Sequence, residues 1–293
     1  MRELAYKKID AFTSEKSLGN PAACVYLGKG ETLTPGEMQD IARQHKGFVS
    51  EMVFCESSEA ADCKLTYFSS ECEVEFCGHG TIACMYDLAK NRPPLRSKPL
   101  ISIETNRKGT LTVFNEIEKQ DAVYITAPNP RYMGTELSAA AAAEALGIAP
   151  GDVDGSLPLD VINAGLTTLL IPIADLQREI SIFPQESRLK AFCEKQGIDI
   201  ILAFSRAAAD PANKAHTRVF APKYGYLEDP ATGSGSSAFG YYMLKRGLWK
   251  GEPIVLEQGG RDREFNPVRL SVRDGRVLFG GSATLRIDGT YYL

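Results

Sequence analysis

The chain has little of what several large function classes need. It carries one tryptophan and three histidines, His45, His79 and His216, in 293 residues. It has no block of lysine and arginine, and its basic residues are scattered, which argues against nucleic acid as a partner. No apolar run approaches membrane-spanning length, so no membrane partner is expected. The opening Met1-Arg2-Glu3-Leu4-Ala5-Tyr6-Lys7-Lys8 is too charged for a signal peptide and points to the cytoplasm. The seven cysteines are odd in number and lack a paired C-x₂-C spacing. Free thiols in a reducing compartment therefore fit better than disulfides or zinc, and no metal is expected.

What is present is a repeated glycine signature. Gly78-His79-Gly80-Thr81 and Gly233-Ser234-Gly235-Ser236 each open an apolar run of helical length. A helix N-terminus exposes unpaired backbone N–H groups and the positive end of the helix dipole, so it attracts anions. Gly78, Gly80, Gly233 and Ser234 are accordingly candidate binding residues for a small anionic substrate. Read singly, each motif is also what an ordinary Gly-rich turn before a core helix looks like.

The rest of the chain predicts a strand-rich α+β protein. Leu4 to Phe12 and Ala22 to Leu27 read as a hairpin-type strand pair around Gly19-Asn20-Pro21. Thr34-Pro35-Gly36-Glu37 has the composition of a capping box, and Met38, Ile41 and Ala42 give the helix after it an apolar stripe. The run after His79 is apolar on nearly every side, which places that helix inside a curved sheet. Pro128-Asn129-Pro130 is the expected domain boundary. Ser138 and Gly147 bracket an alanine-rich helix, and Gly197 ends another. In the tail, turns are expected at Gly259-Gly260, Asp274-Gly275 and Gly280-Gly281. The second half echoes the first, with Ile201-Leu202-Ala203-Phe204-Ser205 matched to Glu51-Met52-Val53-Phe54-Cys55. This is an internal duplication, and a pair of similar domains makes a cleft for a small ligand.

Both glycine motifs satisfy the loose dinucleotide pattern, but no strand feeds directly into the glycines, which disfavours a nicotinamide or flavin cofactor. Polar candidates cluster near the motifs. Glu51 heads an otherwise apolar strand, where desolvation would raise its pKa toward a useful range; a strand-end surface acid is the plainer alternative. His79 sits inside the first motif, and Asp229 precedes the second, where it could act as a helix cap. Cys77 and Cys84 read as buried apolar fillers.

These residues resemble the PhzF-like (phenazine biosynthesis) family, which shares the diaminopimelate epimerase-like fold. The resemblance runs nearly end to end. It rests on Asp10-Ala11-Phe12-Thr13, Gly19-Asn20-Pro21, Ser50-Glu51, Glu73-Val74, Phe76-Cys77-Gly78-His79 and Glu228-Asp229-Pro230-Ala231-Thr232-Gly233-Ser234. It implies two pseudo-symmetric domains, each a rolled, mostly antiparallel or mixed sheet around a central helix. The boundaries would be 1–127 and 128–281, with a terminal strand at about 282–293 returning to the first domain. It implies a homodimer and a cofactor-independent isomerase that moves a proton on a small carboxylate, amino-acid-like or cyclic. Glu51 would be the general acid/base, with His79, Asp229 and Ser234 positioning substrate and protons. Cys77 matches the first of two cysteine positions in the related racemases, and Thr232 occupies the second. A hydroxyl cannot match a thiolate as a base near neutral pH, so a symmetric two-thiol racemase is disfavoured. A proline-racemase-type racemase or dehydratase, or an inactive small-anion-binding protein, are the alternatives. The chain departs from the family pattern at Ser69-Ser70 and at Gly80, which bears on substrate identity.

Overall fold

A computed structural model describes residues 1–260 and 264–293. The chain divides into two compact units, one of Met1–Ile125 with Gly280–Leu293 and one of Thr126–Phe279.

The first unit begins with β1 (Glu3–Ala11), β2 (Asn20–Tyr26), α1 (Pro35–Gln44), β3 (Glu51–Glu56), β4 (Cys63–Ser69) and β5 (Glu73–Val74). It continues through α2 (Gly78–Asn91), α3 (Pro93–Arg96), β6 (Leu100–Thr105), β7 (Gly109–Asn115), α4 (Ile117–Gln120) and β8 (Val123–Thr126). The second unit holds β9 (Arg131–Tyr132), α5 (Ala139–Leu146), β10 (Asp160–Asn163), β11 (Thr167–Pro172), α6 (Leu176–Ser181) and α7 (Glu186–Gln196). There follow β12 (Ile200–Ser205), β13 (Ala215–Phe220), β14 (Glu228–Asp229), α8 (Gly233–Lys245), β15 (Ile254–Gln258), β16 (Asn266–Arg273) and β17 (Arg276–Gly281). The final strand, β18 (Ala283–Tyr292), pairs antiparallel with β1 in the first unit.

The two units share one pairing scheme. In the first, β1 is antiparallel to β2, β2 parallel to β3, β3 antiparallel to β4, and β4 antiparallel to β5 and parallel to β6. In the second, β10 to β15 repeat each of those relations in order. Each sheet is therefore mixed, and each has a helix against one face: α2 packs on β1, β2, β3 and β18, and α8 on β10, β11, β12 and β16. Helix α2 is buried without a break from Gly80 to Ala89, as its all-round apolar sequence requires. The opposite sheet faces carry the remaining helices. Met38 and Ile41 of α1 cover Ala23, Val25, Met52 and Phe54, and Leu189 and Cys193 of α7 cover Leu169, Ile171, Ile201 and Ala203.

Local signals formed as the residues dictate. Thr34 accepts the Glu37 N–H and Glu37 accepts the Thr34 N–H, so two orphan donors at the start of α1 are satisfied reciprocally. Thr34→Ala is expected to cost about 1 kcal/mol of stability, read as a lowered denaturant midpoint at unchanged slope. Gly147 and Gly197 end their helices in the left-handed region.

Two expectations are corrected. Gly280-Gly281 is not a turn, because β17 runs through it. A Cβ on Gly280 would lie 2.2 Å from the Val123 carbonyl oxygen, so close backbone approach explains the glycine. The matching of the two halves also slips by one residue. Met52 pairs with Phe68, and Ile201 pairs with Phe220, each of which reaches its short following strand in the same register. Glu51 therefore corresponds to Ile200, not Ile201. Side chains alternate across a strand, so a one-residue slip would place each on the wrong face. Ile201 and Ala203 face α7, whereas Phe204 packs its ring 4.4 Å from Phe239 of α8.

Candidate active site

The alternation that puts Met52 and Phe54 against α1 sends Glu51 and Val53 to the α2 side of the first sheet. Val53 packs against the first turn of that helix: a Cβ on Gly80 would lie 2.8 Å from Val53 Cγ2 and 3.0 Å from Cys77 Sγ. The glycine here, where the family pattern has a bulkier residue, thus follows from packing. The start of α2 is pinned twice more. The Thr81 hydroxyl donates to the Cys77 carbonyl at 2.7 Å, and Tyr67 of β4 meets Thr81 Oγ1 at 2.8 Å.

Glu51 and His79 meet in this corner. His79 Nε2 lies 3.2 Å from Glu51 Oε2, and solvent reaches 12% and 20% of the two side chains. The contact is not aligned as a hydrogen bond, so the buried Oε2 keeps accepting capacity. Burial pushes the Glu51 carboxyl up to about 7. It is thus no ordinary surface acid. Cys77 is more than an apolar filler: its Sγ accepts the Gly80 N–H at 3.2 Å and lies 3.5 Å from His79 Nδ1. The imidazole therefore sits between a thiol and a carboxyl group. Donor atoms of Glu51, Cys77 and His79 all lie within 4.8 Å of one another, near enough for a soft cation. Sequence alone puts Glu51 and His79 among the candidates but leaves Cys77 out, because a cysteine before an apolar helix reads as a filler. Ser69, one of the two departures from the family pattern, pairs directly across from Glu51. Its hydroxyl accepts the N–H groups of Glu71 and Cys72 and so shapes the turn after β4.

In the second unit, Asp229 ends the two-residue strand β14, and Gly233 and Ser234 open α8. Thr232, not Asp229, is the N-cap residue, and its backbone angles of −124° and 111° equal those of Cys77 at the start of α2. The side chains differ in use. Cys77 Sγ caps its helix, whereas the Thr232 hydroxyl turns away and donates to Asp229 Oδ2. The Thr232 side chain makes no cap bond to α8, and a helix start carries the N–H groups and the positive dipole end that attract an anion. Gln258 holds this elbow: it accepts the Thr232 N–H at 2.9 Å and donates to the Asp229 carbonyl at 2.8 Å and to Thr232 Oγ1 at 3.0 Å. Behind it, the Arg218 guanidinium forks onto Glu228 at 2.9 and 2.7 Å. Thr232 was noticed in the sequence for what it lacks, and Gln258 was missed, because it lies 26 residues from its partner with no motif to mark it. His216 is fully buried elsewhere in this unit, with Nδ1 3.0 Å from Glu179 Oε2.

Comparison with known proteins decides the family. The model of the family described as phenazine biosynthesis-like protein matches residues 9–289. The chain belongs to that family. A Bacillus subtilis (strain 168) protein named as an uncharacterized isomerase, YfhB, is 30% identical over 99% of this chain and 96% of its own length. The trans-2,3-dihydro-3-hydroxyanthranilate isomerase of Pseudomonas fluorescens is 27% identical over 87% of this chain and 85% of its own length. The crystal structure of a Bacillus anthracis phenazine biosynthesis protein of the PhzF family superposes with a TM-score of 0.87 at 26% identity, covering all of both chains. The fold is the diaminopimelate epimerase-like α+β fold, and the enzyme class is isomerase. Among the described residues, no helix is long and apolar enough to cross a membrane.

Proposed function

We propose that this isomerase moves a proton between two carbons of a small carboxylate substrate by general acid/base catalysis without a cofactor. The observation that carries the reading is Glu51: a half-buried carboxyl group with its pKa lifted to about 7, beside His79 at the start of α2. A group with a pKa near the working pH can both remove and return a proton. In the proposed step the ionised Glu51 takes a proton from a carbon acidified by a neighbouring double bond or carbonyl. The electrons of the broken C–H bond form a new double bond, and the far carbon accepts a proton. No electrons are gained or lost, so the step calls for no redox partner. His79, between Glu51 and Cys77, is placed to steady the carboxyl and share its proton. Within the second unit, Asp229, Gly233 and Ser234 are proposed to bind and position a small anion, Asp229 as a buried carboxyl group held by Thr232 at the start of α8. The free thiols fit a reducing, cytoplasmic setting, and a homodimer is the proposed working form.

The Cys77–His79 contact supports a second reading in which a thiol serves as a base, as in a racemase. Against it, the equivalent position holds Thr232, whose hydroxyl proton is already directed at Asp229.

The test is turnover in D₂O. The first probe is trans-2,3-dihydro-3-hydroxyanthranilate, the compound named for the Pseudomonas fluorescens relative, followed by other small unsaturated carboxylates. The product is expected to carry deuterium at the new C–H position, or protium transferred within the molecule. A carboxylate that binds yet neither rearranges nor exchanges its proton would reduce the chain to a binding protein.

A further inference from the structure

β14 is only two residues long, too short for its ladder alone to fix the direction of the Asp229 side chain. Two side chains supply the missing constraint. The Thr232 backbone N–H can only donate, so the Gln258 atom beside it must be the amide oxygen. The other end of that amide is then NH₂, which has no acceptor capacity and must donate both to the Asp229 carbonyl and to Thr232 Oγ1. With a donor already arriving on its oxygen, the Thr232 hydroxyl directs its own proton to Asp229 Oδ2. Proton positions along the whole chain of bonds follow from one backbone N–H. Gln258 is fully buried and Thr232 nearly so, so water does not compete for these bonds. A second tether, from Asn266 Nδ2 to the Pro230 carbonyl at 2.8 Å, holds the intervening turn.

We propose that Thr232, oriented by Gln258, is a positioning residue that aims the Asp229 carboxylate. The helix start equivalent to Cys77 thereby serves as a brace for an acid and not as a proton-transfer group. This rests on the role given above to Asp229. In the first unit the residue at this position caps its helix by accepting the Gly80 N–H; here the hydroxyl has been withdrawn from the helix, and Gln258 accepts the N–H of Thr232 itself.

The brace is tested by comparing Thr232→Val, which keeps the shape and removes the hydroxyl, with Thr232→Ser, which keeps the hydroxyl. Using the probe carboxylate that the wild-type enzyme turns over, Thr232→Val is expected to lower kcat by about 10- to 100-fold with KM within about threefold. Thr232→Ser is expected to restore most of the rate. Independently of turnover, the pH titration of the Asp229 ¹³C-carboxyl resonance is expected to move up in Thr232→Val and not in Thr232→Ser, because a donor to the charged form is lost. Should the valine variant not fold, Gln258→Glu keeps an oxygen for the Thr232 N–H and abolishes both donations; the same rate loss is expected. In the wild-type protein itself, the Thr232 hydroxyl proton is expected to be protected from solvent exchange. Wild-type kcat and an unmoved Asp229 titration in Thr232→Val, or a freely exchanging hydroxyl, would overturn the proposal. Asp229→Asn separates the two ideas: full turnover in that variant removes Asp229 from the reaction, while the Asp229 titration in Thr232→Val, read with the acid in place, reports on the brace alone.

Discussion

Glu51→Gln is expected to lower turnover by about 10²–10⁴ while leaving carboxylate binding within a few-fold, since glutamine keeps the shape and loses the ionisable proton. The same group sets the pH dependence. In the wild-type enzyme kcat/KM is expected to rise as pH passes through about 7 and to level above it, because the base form of Glu51 is populated there. Stability runs the other way. The folded pKa is raised above the unfolded one, so the contribution of this group is fully present below pH ~4.3 and is lost as pH climbs through about 7. The loss is on the order of 3 kcal/mol, the cost of holding an ionised carboxylate out of water. Glu51→Gln should therefore melt a few degrees higher than wild type at pH 8, and the gap should close at pH 4. Calorimetry at the two pH values and a kcat/KM profile check both halves. Undiminished turnover in the variant would remove Glu51 from the mechanism.

Arg218→Met is expected to destabilise the protein by about 3 kcal/mol, because it strips the buried side of an ion pair and leaves a half-buried carboxylate and three carbonyls without the guanidinium donor. Arg218 is 2% exposed. Besides its fork onto Glu228, its guanidinium donates to the carbonyls of Glu179, Ile180 and Ile182, where α6 ends. The Glu179 carbonyl also accepts the Ile182 N–H in the last turn, and the arginine adds a donor to it and to the two carbonyls beyond, so it both caps α6 and anchors β14. Glu228→Gln should cost less, since a neutral side-chain oxygen still accepts from the guanidinium. Denaturant unfolding with exchange protection of the β13 and β14 amides measures both. A ΔΔG below about 1 kcal/mol for Arg218→Met would show that the pair is solvated and the anchor unimportant. Because Glu228 directly precedes Asp229, the methionine variant also bears on activity through the position of that acid.

Much of the architecture was legible because it is written locally. The capping box at Thr34, the stop signals at Gly147 and Gly197, and the all-round apolar helix after His79 depend on neighbours within a few residues. The glycine pair at each helix start is equally local, so both starts and their duplication could be read directly. Gly280 was misread because a glycine pressed against the Val123 carbonyl and a glycine in a turn look the same in one dimension. The one-residue slip between Glu51 and Ile201 arose because two apolar strands align in several ways until cross-strand partners fix the register.

The elements, their repetition, the family and the candidate residues Glu51, His79 and Asp229 can be read from one dimension, since these rest on short-range pattern and motif. The packed chain alone reveals which face Glu51 takes, that its carboxyl is desolvated beside an imidazole and a thiol, and that Gln258 and Thr232 grip Asp229. The reason is that burial and hydrogen-bond partnership are properties of residues distant along the chain, and composition does not encode which of them share a dry corner.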